Sequence, residues 1–263
     1  IIFKPSLGGI TILNKKKINK DVNLRDRVNS LKNLWQSFIN NEIPVENIFD
    51  LEKFAIDYAT TDLISGIHSK FTLNLRYYYN PITNLIEPIS REFGFLRNSY
   101  EIFGKSKTKL FVQSLSEDSE LSESDKSLHN KFFNILFFKK LYFKHLQRIS
   151  KTSYLDTFFD TVAIEMSKRE NIIYEESPFY SYPKRFLYEN QVTIRDFLNN
   201  SDNLISFNLV TDNNKLSLIT SNQSLLPIKI KHIVINDSII IMPFLKDNIT
   251  PLNYFSSNSI KVD

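Results

Sequence analysis

The stretch from His68 to Gly94 constrains the fold more than any other part of the chain. Two short runs rich in aromatic and aliphatic side chains, Leu75–Tyr79 and Leu85–Ile89, flank Asn80-Pro81-Ile82-Thr83-Asn84. Pro presets φ and Asn tolerates the left-handed region, so this link is a turn by composition and the two runs form a predicted β-hairpin. Tyr77, Tyr78 and Tyr79 alternate along the first strand, so at least one face of it enters a core. Closing the hairpin brings Asn74, before the first strand, close to Arg91-Glu92-Phe93-Gly94, after the second. A carboxamide oxygen and a carboxylate at one end of a hairpin suit a hard cation such as Mg²⁺. Asn74 and Glu92 are therefore the candidate metal ligands.

The chain has 263 residues, enough for one large domain or two smaller ones and for a sizeable core. Against 5 Gly and 2 Met stand 22 Phe and 12 Tyr, which predicts a core filled with rings. The net charge of +4 is spread along the chain instead of gathered on one face, which argues against nucleic acid as a partner. Having no Cys excludes disulfides, Cys-zinc sites and a thiol nucleophile. No uncharged apolar run reaches the roughly 18 residues of a membrane span. Ile1-Ile2-Phe3-Lys4-Pro5 does not resemble a signal peptide, and with no initiator Met the chain is read as a fragment.

In chain order, Gly9–Leu13 suggests a short strand, followed by a basic turn at Lys15-Lys16-Lys17. Val28, Leu31, Leu34, Trp35 and Phe38 lie on one face at helical spacing, predicting a helix from Asp21 to Asn40. Asp50 is a good N-cap for a second helix with the stripe Leu51, Phe54, Ala55, Tyr58, Ala59 and Leu63, closing at Ser65-Gly66. The polar acidic run Ser116–Ser127 predicts a surface loop or a charged helix start. Asn130–Ile149 is strongly aromatic but interrupted by lysines, which predicts a buried helix. A further helix is expected over about Tyr154–Arg169, an ordered aromatic loop over Ser177–Pro183 and a short helix near Glu189–Leu198. After Asn199-Asn200-Ser201-Asp202-Asn203 only strand-like runs follow: Leu204–Val210, Lys215–Thr220, Ile228–Ile235 and Ser238–Pro243. The expected class is α+β, with a mainly helical lobe over 1–200 carrying the hairpin at its site. An incomplete, sandwich-like β module over 203–263 follows it.

Val45 to Gly94 resembles the CotH kinase family, which is named for a spore-coat protein kinase. The resemblance rests on Ile48-Phe49-Asp50-Leu51-Glu52-Lys53-Phe54-Ala55, on His68 with Asn74-Leu75-Arg76-Tyr77-Tyr78-Tyr79-Asn80-Pro81-Ile82-Thr83, and on Leu85-Ile86-Glu87-Pro88-Ile89. It implies a kinase-like C-lobe whose nucleotide-gripping N-lobe lies upstream, and an exported or cell-surface bacterial protein. The implied cofactor is ATP with Mg²⁺ or Mn²⁺, and the implied acceptor is protein Ser or Thr. Carried over residue by residue, His68, Ser69 and Asn74 take the catalytic positions, and Asn74, Glu92, Phe93 and Gly94 the cofactor side. Two positions depart from the pattern. Glu92 stands where Asp is expected, and Ser69 stands five residues before the Asn, where kinase catalytic loops carry the base Asp. A catalytically weakened relative, or a non-enzymatic assembly or binding protein on a degenerate lobe, is the alternative.

Blander readings accompany each candidate. Asn74 suits a strand cap, Glu92 a pairing with Arg91 or Arg97, and His68 a loop-ordering role. Asp62 is expected in a surface or capping contact. Glu87 with Glu92 gives only a weak case for the paired carboxylates of glycoside hydrolysis. His129, His145 and His232 share no metal-ligand spacing.

Overall fold

The predicted hairpin forms. In a computed structural model describing residues 1–13, 15–91, 109–115, 119, 121–180, 182, 184–200 and the backbones of four later strands, β3 (Tyr77–Tyr79) pairs antiparallel with β4 (Ile86–Pro88). The hairpin is not alone. The N-terminal segment makes a second one, β1 (Ile2–Ser6) with β2 (Gly9–Ile12), and β1 pairs with β3. The result is one antiparallel sheet of order β2-β1-β3-β4. At the other edge, Asp50 N–H donates to the Ile86 carbonyl and Ile86 N–H to the Ile48 carbonyl. Within the turn Asn84 takes φ 57°, the left-handed conformation for which Asn is suited.

The described helices are α1 (Lys15–Ile18), α2 (Val22–Ile39), α3 (Leu51–Leu63), α4 (Phe111–Ser114), α5 (Glu123–Phe133), α6 (Leu136–Ile149), α7 (Thr152–Glu176) and α8 (Arg185–Asn200), of which α2 and α3 pack on this sheet. The fold class is α+β. Asp21 and Asp50 cap α2 and α3 by accepting from Leu24 N–H and Lys53 N–H, as their side chains favour. The basic run after β2 begins α1 instead of a turn. The acidic stretch becomes a helix start at Ser122, whose side chain and that of Asp125 satisfy each other's backbone amides.

The aromatic core joins sheet and helices. Phe38 meets Phe49 with ring centroids 4.7 Å apart, Phe49 meets Phe132 at 4.8 Å, and Phe54 stacks on Phe132 at 4.9 Å. Such pairs add about 0.5–1.5 kcal/mol each beyond the area they bury. The single helix expected over Asn130–Ile149 is two helices, broken at Asn134-Ile135. At about 100° per residue an unbroken helix would turn Phe133 and Phe138 some 140° apart. The break lets both reach Tyr58 on α3, with centroids at 5.1 and 5.8 Å. Helices α7 and α8 outrun their predicted lengths, and of α7 only Leu155 and Phe159 are buried. After α7, Phe179 is exposed, while residues 181 and 183 of the expected aromatic loop lie outside the described residues.

The chain divides into two units, Ile1–Arg195 and Asp196–Asp263. The second is β in character: β5 (Ile205–Asp212) pairs antiparallel with β6 (Lys215–Asn222), and β7 (His232–Ile235) with β8 (Ser238–Ile241). A sandwich-like packing of these hairpins stays an expectation. Among the described residues no helix is long and apolar enough to cross a membrane.

Candidate functional site

The end of α3 delivers the chain to the site. Ser65 adopts φ 51° and Gly66 N–H returns to the Thr61 carbonyl at 2.8 Å, reversing the chain into a 3₁₀ turn, Ile67–Lys70. This turn carries His68 and Ser69, and Asn74 closes the loop that follows. Asn74 Nδ2 donates to the His68 carbonyl at 2.9 Å and meets the His68 ring at Nδ1, 3.0 Å away. A carbonyl only accepts, so the amine end of the amide faces His68, and ring Nδ1 is the acceptor with the proton on Nε2. Asn74 Oδ1 has no protein partner among the described residues.

Ile89 N–H donates to the Arg76 carbonyl at 2.9 Å, continuing the hairpin past its strands. The chain therefore leaves β4 at the end where the segment from Asn74 enters β3. Glu92, Phe93 and Gly94 lie outside the described residues. His68 and Asn74 are thus brought together. Ser69, which lies between them in sequence, is buried, and its hydroxyl has no partner among the described residues. No protein-family model, curated protein or solved structure matches this chain. What the loop can do therefore rests on its own geometry.

The loop is held from below by groups the sequence reading assigned to nothing. His129 on α5 lies fully buried, its Nε2–H donating to the Lys70 carbonyl at 2.7 Å and its Nδ1 accepting from Tyr58 Oη at 2.5 Å. Burial pushes its pKa down to about 4, against the raising effect of the Lys70 bond, so it stays neutral. Four residues earlier, Asp125 accepts from both the amide and the hydroxyl of Thr72 and from Ser122. An Asp and a His at i and i+4 on one helix were the available signal. Beside them Lys70 and Asp57 form a buried ion pair, with Ser90 Oγ donating to the same carboxylate and Lys70 lying over the Tyr58 ring. This clamp ties the 3₁₀ turn and the exit of β4 to α3.

Of the two readings of Asp62, the surface one is corrected and the capping one is met: it is a buried acid 5% exposed, accepting from Phe111 N–H at the start of α4 and from Tyr142 Oη. Glu87 is engaged by Asn80 Nδ2 at 2.8 Å and Lys53 Nζ at 2.9 Å, which hold its carboxyl below the usual range. Both contacts tie it to the hairpin and to α3, and Glu92, its candidate partner acid, lies outside the described residues. His145 bonds Glu52 at 2.8 Å, and His232 opens β7. Among the described residues no group of three His, Cys, Asp or Glu side chains is placed to hold a metal. Asn74 Oδ1 is a single oxygen donor of the type Mg²⁺ and Mn²⁺ accept.

Proposed function

We propose that residues 1–200 form a CotH-type, kinase-like lobe that holds a divalent cation with ATP at Asn74, transfers phosphate weakly or not at all, and carries a β module from about 203. The observation that supports this reading is the amide of Asn74, anchored through Nδ2 on His68 with Oδ1 left without a protein partner among the described residues. Helix, turn, loop and hairpin follow in the order the resemblance implies. ATP with its cation supplies the transferable phosphoryl group and the charge that neutralises it. Within this chain Asn74 would ligate the cation, and His68 would fix the Asn74 rotamer. Ser69 is buried and cannot act as an anionic base, and Asp57 is committed to Lys70 and Ser90. Loss of general-base help of ordinary size lowers turnover by about 10²–10⁴-fold.

The test is nucleotide binding and phosphate transfer to protein Ser or Thr, wild type beside Asn74→Ala. It is run on the 263-residue chain and on a longer polypeptide supplying the lobe that the resemblance places upstream. The longer form is expected to bind ATP with Mn²⁺ preferred over Mg²⁺, to lose that binding in Asn74→Ala, and to show little transfer. The 263-residue chain alone is expected to bind poorly. Binding unaffected by Asn74→Ala removes the site from the mechanism. A second reading, an exported or surface assembly protein without catalysis, is favoured by the exposed Ile164, Ile172, Tyr174 and Phe179 on and after α7. Robust transfer would exclude it.

A further inference from the structure

Where α6 passes into α7 the chain turns a corner that α8 secures from one side. The buried Gln191 donates through Nε2 to the carbonyls of Ile149 and Lys151, at 2.6 and 2.9 Å, and Arg195 donates to the Ser150 carbonyl. The corner's carbonyl oxygens are therefore engaged. Of its donors, Tyr154 N–H returns to the Lys151 carbonyl at 2.9 Å, while the amides of Thr152 and Ser153 have no acceptor among the described residues, since α7 begins without a side-chain cap from Lys151 and without an acidic residue in its first turn. Beside this corner lies an open groove of about 350 Å³ lined by Arg148, Lys151, Ser153, Tyr154, Thr157 and Phe158.

That lining combines two cations, two hydroxyls and two rings, with no carboxylate. The Arg148 guanidinium lies over the Tyr154 ring, 5.9 Å from its centroid. Stacking holds the guanidinium plane while engaging none of its N–H donors. Neither Arg148 nor Lys151 has a carboxylate partner among the described residues. Asp156, on the first turns of α7, instead accepts from Tyr188 Oη on α8 at 2.9 Å.

We propose that this groove binds a phosphate monoester carried on a planar ring. The phosphate sits between Arg148, Lys151 and the first amides of α7, and the ring lies against Tyr154 and Phe158. A doubly charged head rich in acceptors matches the stacked Arg148, the neighbouring Lys151 and the unengaged amides of Thr152 and Ser153. A flat carrier matches the aromatic half, where stacking on a side-chain ring contributes to binding. A bare inorganic anion would leave the rings unused, and a neutral apolar ligand would leave the cations unmatched. A nucleotide and an aryl phosphate of the phosphotyrosine kind both carry this chemistry. The site shares no residue with the loop at Asn74 and is independent of the kinase-like reading.

Titration of the ¹⁵N-labelled chain with AMP, O-phosphotyrosine and inorganic phosphate, followed by NMR, tests the assignment. At least one organic probe is expected to shift the amides of Thr152 and Ser153 and to bind about tenfold or more tighter than inorganic phosphate. The tighter of the two identifies the source. Arg148→Gln is expected to weaken binding about tenfold or more, the scale of a lost charge-assisted bond, and Tyr154→Leu to abolish the preference over inorganic phosphate. Both positions are at the surface of the corner, and an unchanged amide spectrum elsewhere confirms that each variant is folded. Lys168→Gln, farther along α7, serves as a control and leaves affinity unchanged. No shift at the corner with about 10 mM probe, above the millimolar range of weak ligands, overturns the proposal. So does equal affinity for inorganic phosphate, or binding indifferent to Arg148→Gln.

Discussion

Tyr142 Oη on α6 donates to Asp62 Oδ2 on α3 at 2.5 Å, in the middle of the helical unit. The other carboxylate oxygen accepts from Phe111 N–H at 2.6 Å, so one acid joins α3, α4 and α6. Burial pushes the Asp62 pKa up to about 7, although the bonds from Tyr142 and Phe111 and the charge of Lys70 oppose the shift.

This acid gives stability a pH dependence of known sign. Its folded pKa stands above its ordinary value of 3.8, so its contribution is present in acid and lost as pH rises toward 7. His129, lowered from 6.5 to about 4, runs the opposite way, losing its contribution as pH falls toward 4. The two slopes oppose one another between these limits. Asp62→Asn is expected to unmask the histidine: its unfolding free energy from urea titrations should climb with pH across this window, by up to about 1.4 kcal/mol per pH unit. A variant profile parallel to wild type would refute the buried-acid account.

The Lys139 side chain on α6 is buried and has no hydrogen-bond or ion-pair partner among the described residues, and burial lowers its pKa to about 8. Lys139→Met should stabilise the protein at neutral pH by on the order of 2 kcal/mol, by removing an uncompensated buried amine. The folded pKa is depressed, so wild type gains stability as pH rises from 8 toward 10.5, and the variant should not. Thermal melts across that range measure both effects.

The buried pair of Lys70 and Asp57 predicts an asymmetry between single and double changes. Lys70→Met strands the carboxylate in the interior and should cost about 3–5 kcal/mol. Asp57→Leu combined with Lys70→Met removes both charges and should recover most of that loss. Denaturant unfolding of the three proteins distinguishes this from simple loss of packing, which the double variant would deepen.

Adjacent phenylalanines on α6 should behave differently. Phe138 is fully buried against Tyr58, Phe132 and Phe133, whereas Phe137 is 58% exposed. Phe138→Ala is expected to destabilise by about 3–5 kcal/mol and Phe137→Ala by about 0.5 kcal/mol or less. Similar losses at both positions would contradict the break at Asn134-Ile135.

The sequence by itself determined what neighbouring residues decide among themselves. The caps at Asp21 and Asp50, the stripes of α2 and α3, the turn with Asn84 in the left-handed region, and the change from helical to strand patterning all follow from local sterics, spacing and capping chemistry. The loop with His68 and Asn74 was legible for the same reason, since both lie on one short connection. Only the tertiary structure decided that β1 and β2 extend the hairpin's sheet, that Asn130–Ile149 breaks in two, and that Ser69 turns inward. It also decided that α5 grips the loop through Asp125 and His129. In sequence a polar residue on a helix looks the same whether water or a distant partner satisfies it. Asp62 is satisfied by Phe111 and Tyr142, 49 and 80 residues away, and no local pattern encodes contacts at that separation.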